Sequence, residues 1–114
     1  MQGVLIVSAD PAVRKSLRLI LQPGRAIHER ATLAEALSLA AAQRLDLVFV
    51  DDVFADGTAL GLVEGLHALG YGAEIVPLLL AAGPAHTEPF AAYGVREFLV
   101  KPFDVRAVGQ VVDR

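Results

Sequence analysis

Two charged residues stand at the ends of short apolar runs. Leu47-Val48-Phe49-Val50 ends in Asp51, and Phe98-Leu99-Val100 ends in Lys101, which is followed by Pro102 and Phe103. Proline removes a backbone donor and fixes φ, so the second run must stop where it does. If both runs are parallel strands of one sheet, the carboxylate and the ammonium meet at one rim, where the simplest chemistry is an ion pair. Asp10 precedes Pro11, the pattern of a helix N-cap followed by its first residue. Asp52 would point away from Asp51 if strand geometry continued, which makes it a solvated loop acid. His28, His67 and His86 fall on different elements without ligand spacing, so they read as surface residues. The absence of cysteine excludes disulfides and thiolate metal sites.

The elements that must position these residues alternate between strand and helix patterns. Gly3 to Val7 is a continuous apolar run, as expected of a strand buried on both faces. A helix after Asp10 carries Val13, Leu17, Ile20 and Leu21 on one face and ends at Pro23-Gly24. Ala26 to Arg30 is a polar-leaning strand suited to a sheet edge. Thr32 and Glu35 form a capping box for a second helix, which turns Leu33, Ala36, Leu37, Ala40 and Ala41 inward and runs to about Arg44. The third strand is Asp46 to Val50, followed by a loop to Gly57. A helix over Thr58 to Leu69 contains Gly61 and Gly65, which weaken it relative to Ala. Ile75 to Leu80 is the fourth strand. Ala82 to Pro89 reads as loop, with a short helix from Pro89 to Tyr93 ending at Gly94. The fifth strand is Arg96 to Val100, and Asp104 caps a last helix running to the C-terminus.

Five strands alternating with helices imply an α/β fold with helices on both faces of a parallel sheet. The polar second strand belongs at an edge, which selects the flavodoxin-like order 2-1-3-4-5. Ligand chemistry in such sheets lies outside the carboxyl ends of the strands. Those ends carry Ser8-Ala9-Asp10, Asp51 and Lys101.

At 114 residues the chain is expected to form one domain, 1–114, with a single core. No apolar run approaches the roughly 18 residues that a membrane span requires, and no secretory signal pattern opens the chain. A cytoplasmic location fits. The net charge is -3 and the cations, mostly Arg, are scattered, which argues against direct nucleic-acid binding.

Three stretches resemble the receiver domain of bacterial two-component response regulators: Val4-Leu5-Ile6-Val7-Ser8-Ala9-Asp10-Pro11-Ala12-Val13-Arg14, Asp46-Leu47-Val48-Phe49-Val50-Asp51, and Gly94-Val95-Arg96-Glu97-Phe98-Leu99-Val100-Lys101-Pro102-Phe103. The resemblance covers essentially the whole chain. In that family a carboxylate after the third strand accepts a phosphoryl group, and a pair of acids after the first strand holds Mg²⁺. A hydroxyl after the fourth strand and a lysine after the fifth contact the phosphoryl oxygens. Such a transfer requires cationic charge on those oxygens, most of it from the metal. The resemblance assigns Asp51 as phosphoacceptor, Lys101 as the phosphate-contacting lysine and Phe98 as the aromatic switch, and it implies a cis Lys101-Pro102 bond.

The departures fall on the same site. Ser8 and Ala9 stand where the acid pair belongs, Ala81 or Ala82 where the hydroxyl belongs, and Phe54-Ala55 where the family has Met-Pro. The helix before the fifth strand is about one turn short. The expectation is a degenerate receiver: not an enzyme, impaired in Asp51 phosphorylation, and with only weak Mg²⁺ binding, through Asp51 and Asp10. It would be a piece of a longer response regulator, ending early at Arg114. Its partners would be a histidine kinase, the parent's output domain, or a second copy held through the face of the fourth helix, fifth strand and last helix. Phe90, Tyr93, Phe103 and Arg106 are the residues expected on that face, with Pro84 and Pro89 stiffening its approach. Phosphorylation-independent contact is expected there, with transcriptional control the commonest output. The alternatives are a working phosphoacceptor in a phosphorelay, a small aspartyl-phosphate hydrolase, and a nucleotide or flavin binder. The hydrolase lacks the second acid two residues after Asp51, where Val53 stands, and the binder lacks a phosphate loop after the first strand.

Overall fold

The computed structural model describes residues 2–112. Twelve elements follow in order: β1 (Gln2–Val7), α1 (Pro11–Leu21), β2 (Arg25–Arg30), α2 (Leu33–Ala42), β3 (Leu47–Asp51), β4 (Val53–Phe54), β5 (Gly57–Thr58), α3 (Ala59–Ala68), β6 (Glu74–Leu79), α4 (Pro84–Ala91), β7 (Leu99–Val100) and α5 (Val105–Val112). Five strands form a sheet in the order β2-β1-β3-β6-β7, and β4 and β5 form a separate two-stranded hairpin. Every pairing in the main sheet is parallel. This is the flavodoxin-like arrangement that the strand patterns predict, with β6 and β7 as its fourth and fifth strands.

Strand periodicity sorts the core into two layers. Val4, Ile6, Leu47, Phe49, Val76, Leu78 and Leu99 face α1 and α5, packing with Leu17, Leu21, Val108 and Val111. Leu5, Val7, Val48, Val50 and Leu79 face the other way, onto Ala36, Ala40, Leu62, Val63, Leu66 and Phe90. All five residues of β3 are buried, while β2, at the edge, is only half-buried along its length.

Local signals explain the helix starts. The Asp10 carboxylate accepts from the Ala12 amide with Pro11 at the first helical position, and the Thr32 hydroxyl accepts from the Glu35 amide. The Glu35 carboxylate reaches back to the Thr32 hydroxyl at 3.0 Å, so the box closes side chain to side chain. Thr58 caps α3, and the Asp104 carboxylate accepts from the Ala107 amide near the start of α5. The two α3 glycines seat α2: a Cβ on Gly65 would lie 2.9 Å from Leu37 Cδ2, and one on Gly61 3.4 Å from Leu33 Cδ1. The helix propensity lost at these positions is exchanged for close helix packing.

Several expected boundaries shift. The loop after β3 folds into the β4–β5 hairpin. Helix α4 starts at Pro84, five residues earlier than predicted, because proline suits the first helical position, where no intrahelical N–H is needed. Pro84 and Pro89 therefore belong to the helix itself, with Pro89 in its interior, and do not stiffen a loop leading to it. Only Leu99–Val100 of the fifth run pairs as strand, and Ala41 is exposed near the end of α2. The last two residues of the final helix as predicted, Asp113 and Arg114, lie outside the described residues. Both Gln22-Pro23 and Lys101-Pro102 are cis.

Candidate functional site

Parallel pairing aligns the strand ends. Asp51 lies opposite Leu78, Leu79 lies opposite Val100, and the Lys101 amide donates to the Leu79 carbonyl at 2.8 Å. The proline turn then brings the lysine side chain back over the rim. The Lys101 ammonium forms an ion pair with Asp51 Oδ1, the carboxylate being 7% exposed and the lysine side chain 24%. It also reaches Asp52 Oδ1 at 3.3 Å.

Each oxygen of the Asp51 carboxylate has its own partners. Oδ1 takes Lys101 and the Asp52 amide, the latter at 2.9 Å. Oδ2 accepts from the hydroxyl of Ser8, which is fully buried, at 2.6 Å. The same hydroxyl oxygen accepts from the Asp10 amide at 3.0 Å, and Arg14 Nη1 donates to the Ser8 carbonyl at 2.6 Å. Burial pushes the Asp51 carboxyl up, but hydrogen bonds from Lys101, Ser8 and Asp52 outweigh it and hold the group below its ordinary value. For Lys101, burial works against the charged form, and the pull of Asp51 and Asp52 prevails, raising it. The result is a cluster of two carboxylates and one ammonium at the carboxyl end of the sheet.

Of the residues singled out in the sequence, Asp51, Lys101 and Ser8 are brought together. Ala9 is exposed and presents no side-chain donor, while Asp10 has its Oδ1 on the Ala12 amide at 2.9 Å. Ala81 is half-buried and Ala82 exposed. Phe98 is half-buried and meets Phe90 edge to face, with ring centroids 5.7 Å apart. Asp52 is a correction: it joins the cluster instead of pointing away, because the chain leaves strand geometry at Asp51 and bends. Sequence alternation carries no signal for that bend. The expected contact patch also changes. Phe90 is only 5% exposed and belongs to the core, Tyr93 is half-buried with its hydroxyl on Glu64 at 3.1 Å, and Phe103 packs in the layer on the opposite face of the sheet. Arg106 is exposed.

The family profile of the response regulator receiver domain matches residues 4–113. The chain belongs to the response regulator receiver family. A curated relative, the KDP operon transcriptional regulatory protein KdpE of Escherichia coli strain K12, is 31% identical over 108 residues, which cover 92% of this chain and 47% of that protein. The chain thus spans about half the length of the curated relative it matches. Among solved structures, the chemotaxis response regulator CheY4 of Vibrio cholerae superposes with a TM-score of 0.92 at 25% identity, covering 100% of this chain and 98% of that one. The regulator TrrA of Thermotoga maritima, solved in complex with Mg²⁺ and beryllofluoride, has a TM-score of 0.85 at 23% identity and covers 99% of this receiver and 97% of its own chain. This chain is therefore a receiver domain of a two-component response regulator, of a family whose domains generally serve signalling. No helix among the described residues is long and apolar enough to cross a membrane.

The donors around Asp51 do not fit the Mg²⁺ that receivers bind. That ion needs a near-octahedral set of oxygens at about 2.0–2.1 Å. Here both Asp51 oxygens carry hydrogen-bond donors, one of them the Lys101 cation. Ser8 offers a neutral hydroxyl that is already donating, and the Asp10 carboxylate is used as a helix cap. Among the described residues no group of three or more His, Cys, Asp or Glu could hold a metal ion.

Proposed function

We propose that this receiver signals with impaired phosphorylation at Asp51, regulating an output domain, attached or separate, through protein contact. The observation that carries this reading is that Lys101, Ser8 and the Asp52 amide occupy both oxygens of the Asp51 carboxylate, with Ser8 and Ala9 where an acid pair would hold a cation. At an effective dielectric near 20, two unit charges about 4 Å apart interact by about 4 kcal/mol. Loss of two carboxylates therefore removes more binding energy than Asp10 or Asp52 can restore. A phosphoryl donor approaching Asp51 would meet a nucleophile with donors on both oxygens and one cation, Lys101, already shared between two acids.

The partners proposed are a histidine kinase and an output domain of a longer regulator in the cytoplasm. The similarity to KdpE supports transcriptional control as that output. A contact surface on α4, β7 and α5, with Tyr93 and Arg106 as its accessible members, fits phosphorylation-independent association with an output domain or a second copy. Incubation with acetyl phosphate and millimolar Mg²⁺, read by intact mass, tests the reading. Little or no phosphoryl addition is expected. Near-stoichiometric single addition that disappears in Asp51→Asn overturns it in favour of a working phosphoacceptor.

A further inference from the structure

The segment after Asp51 replaces an open loop with a short hairpin whose polar groups are engaged at both ends. At one end, the Asp52 carboxylate bonds Lys101 and its carbonyl accepts from the Ala59 amide at 3.0 Å. In the middle, Val53 and Phe54 of β4 pair antiparallel with Thr58 and Gly57 of β5, and the Phe54 side chain is buried in the core. At the far end, the Asp56 carboxylate spans the first turn of α2: Oδ1 accepts from the Leu33 amide at 2.9 Å and Oδ2 from the Ala34 amide at 3.0 Å.

Helices leave their first amides without intrahelical partners. Thr32 serves only the Glu35 amide, so Asp56 supplies what the local cap does not. A carboxylate at this end of the helix is also favoured by the helix dipole, and the two amides hold the Asp56 carboxyl below its ordinary value. The fit leaves no slack beside it: a Cβ on Gly57 would sit 2.8 Å from Leu33 Cδ1. Thr58 then caps α3 through the Gly61 amide at 3.2 Å.

We propose that residues 52–58 act as a strut that couples the Asp51–Asp52–Lys101 cluster to the first turn of α2, making that turn the part of the molecule that responds when the cluster is disturbed. On the side toward α4, Ala81 and Ala82 offer no side-chain hydrogen bond through which the cluster could act on that helix. The coupling rests on geometry and is independent of whether Asp51 accepts a phosphoryl group. Coupling of this kind acts in both directions.

Amide hydrogen exchange of the intact chain tests both directions, with the Val48 and Phe49 amides of the buried β3 reporting global unfolding. In Asp56→Ala, exchange at Leu33 and Ala34 should rise roughly fivefold to tenfold more than at those β3 amides, as expected for loss of a helix cap. Thr58, Ala59 and Asp52 should accelerate with them. Asp56→Asn, which keeps one acceptor, should lie between. In the reciprocal variant, Lys101→Met, the amides of Leu33 and Ala34 should also accelerate more than Val48 and Phe49 do. Acceleration at Leu33 and Ala34 alone in Asp56→Ala, or no excess over β3 there in Lys101→Met, reduces Asp56 to a local cap and overturns the strut. Phosphorylation of the wild-type chain would overturn the proposed function and leave this exchange pattern standing, so the two failures are distinguishable.

Discussion

Replacing Lys101 with methionine tests the electrostatic account of the site most directly. The substitution keeps a long apolar stem but removes the ammonium, leaving Asp51, 7% exposed, with only the Ser8 hydroxyl and the Asp52 amide. Removing one partner of a fully buried ion pair costs about 3–5 kcal/mol. Lys101 keeps 24% of its side chain exposed, so water already screens part of the attraction and the expected loss falls to about 2–3 kcal/mol near neutral pH. For a chain of 114 residues, at about 4 °C per kcal/mol, that is a fall in Tm of about 8–12 °C. The pH dependence should change sign as well. In the wild type the Asp51 carboxyl is held below its ordinary value, so its contribution to stability is present above that ordinary value and fades as pH falls through the lowered one. Without Lys101, burial, the largest single influence on Asp51, together with the facing Asp52 carboxylate, is expected to outweigh the remaining hydrogen bonds from Ser8 and Asp52 and to push the group up. Its charged form then destabilises the fold near neutral pH, and the penalty is relieved as pH falls through the raised value. Urea unfolding at about pH 7 and about pH 5 should therefore find a smaller Lys101→Met penalty at the lower pH. The added change Asp51→Asn should recover more than half of the loss. A penalty below about 0.5 kcal/mol, the ordinary range of surface substitutions, or one equal at both pH values, would refute the reasoning.

Ser8→Ala should cost about 1.5–3 kcal/mol by thermal or urea unfolding, because it removes a donor to a buried charge; a change within experimental error would mean that the hydroxyl is dispensable. Gly61→Ala should stabilise by up to about 1 kcal/mol, since it gains helix propensity and its Cβ meets only side-chain ends. Gly65→Ala should show no such gain, because its Cβ would press on Leu37 at 2.9 and 3.2 Å, and overpacking costs about 1–3 kcal/mol. Equal melting shifts for the two would contradict the α2–α3 packing. In sedimentation and partner pull-down, Tyr93→Ala and Arg106→Glu should weaken association while Asp51→Ala leaves it intact; loss in Asp51→Ala alone would restore a phosphosite-driven contact.

Much of the architecture is written in local chemistry. The apolar runs, the Asp10-Pro11 and Thr32-Glu35 caps and the polar second strand each act over a few residues, so they predict the elements and the strand order. The Asp51–Lys101 meeting also follows from sequence, because parallel strands ending in those residues leave them at one rim. Other features depend on where the chain bends after an element ends. Asp52 turns toward Lys101 because strand geometry stops one residue before it, and periodicity cannot anticipate that. Asp56 reads locally as an ordinary turn acid. Its carboxylate becomes a cap only because the hairpin delivers it to the amides of Leu33 and Ala34, more than twenty residues earlier in the chain. The start of α4 is hidden in the sequence because Pro84 and Pro89 look like breakers, although a first-turn proline costs a helix nothing and buried Phe90 anchors the rest. Residue type and spacing therefore determined which groups reach the rim of the sheet. Their bonding to one another was decided by tertiary structure, because a hydrogen bond is made only when long-range packing brings donor and acceptor within about 3 Å.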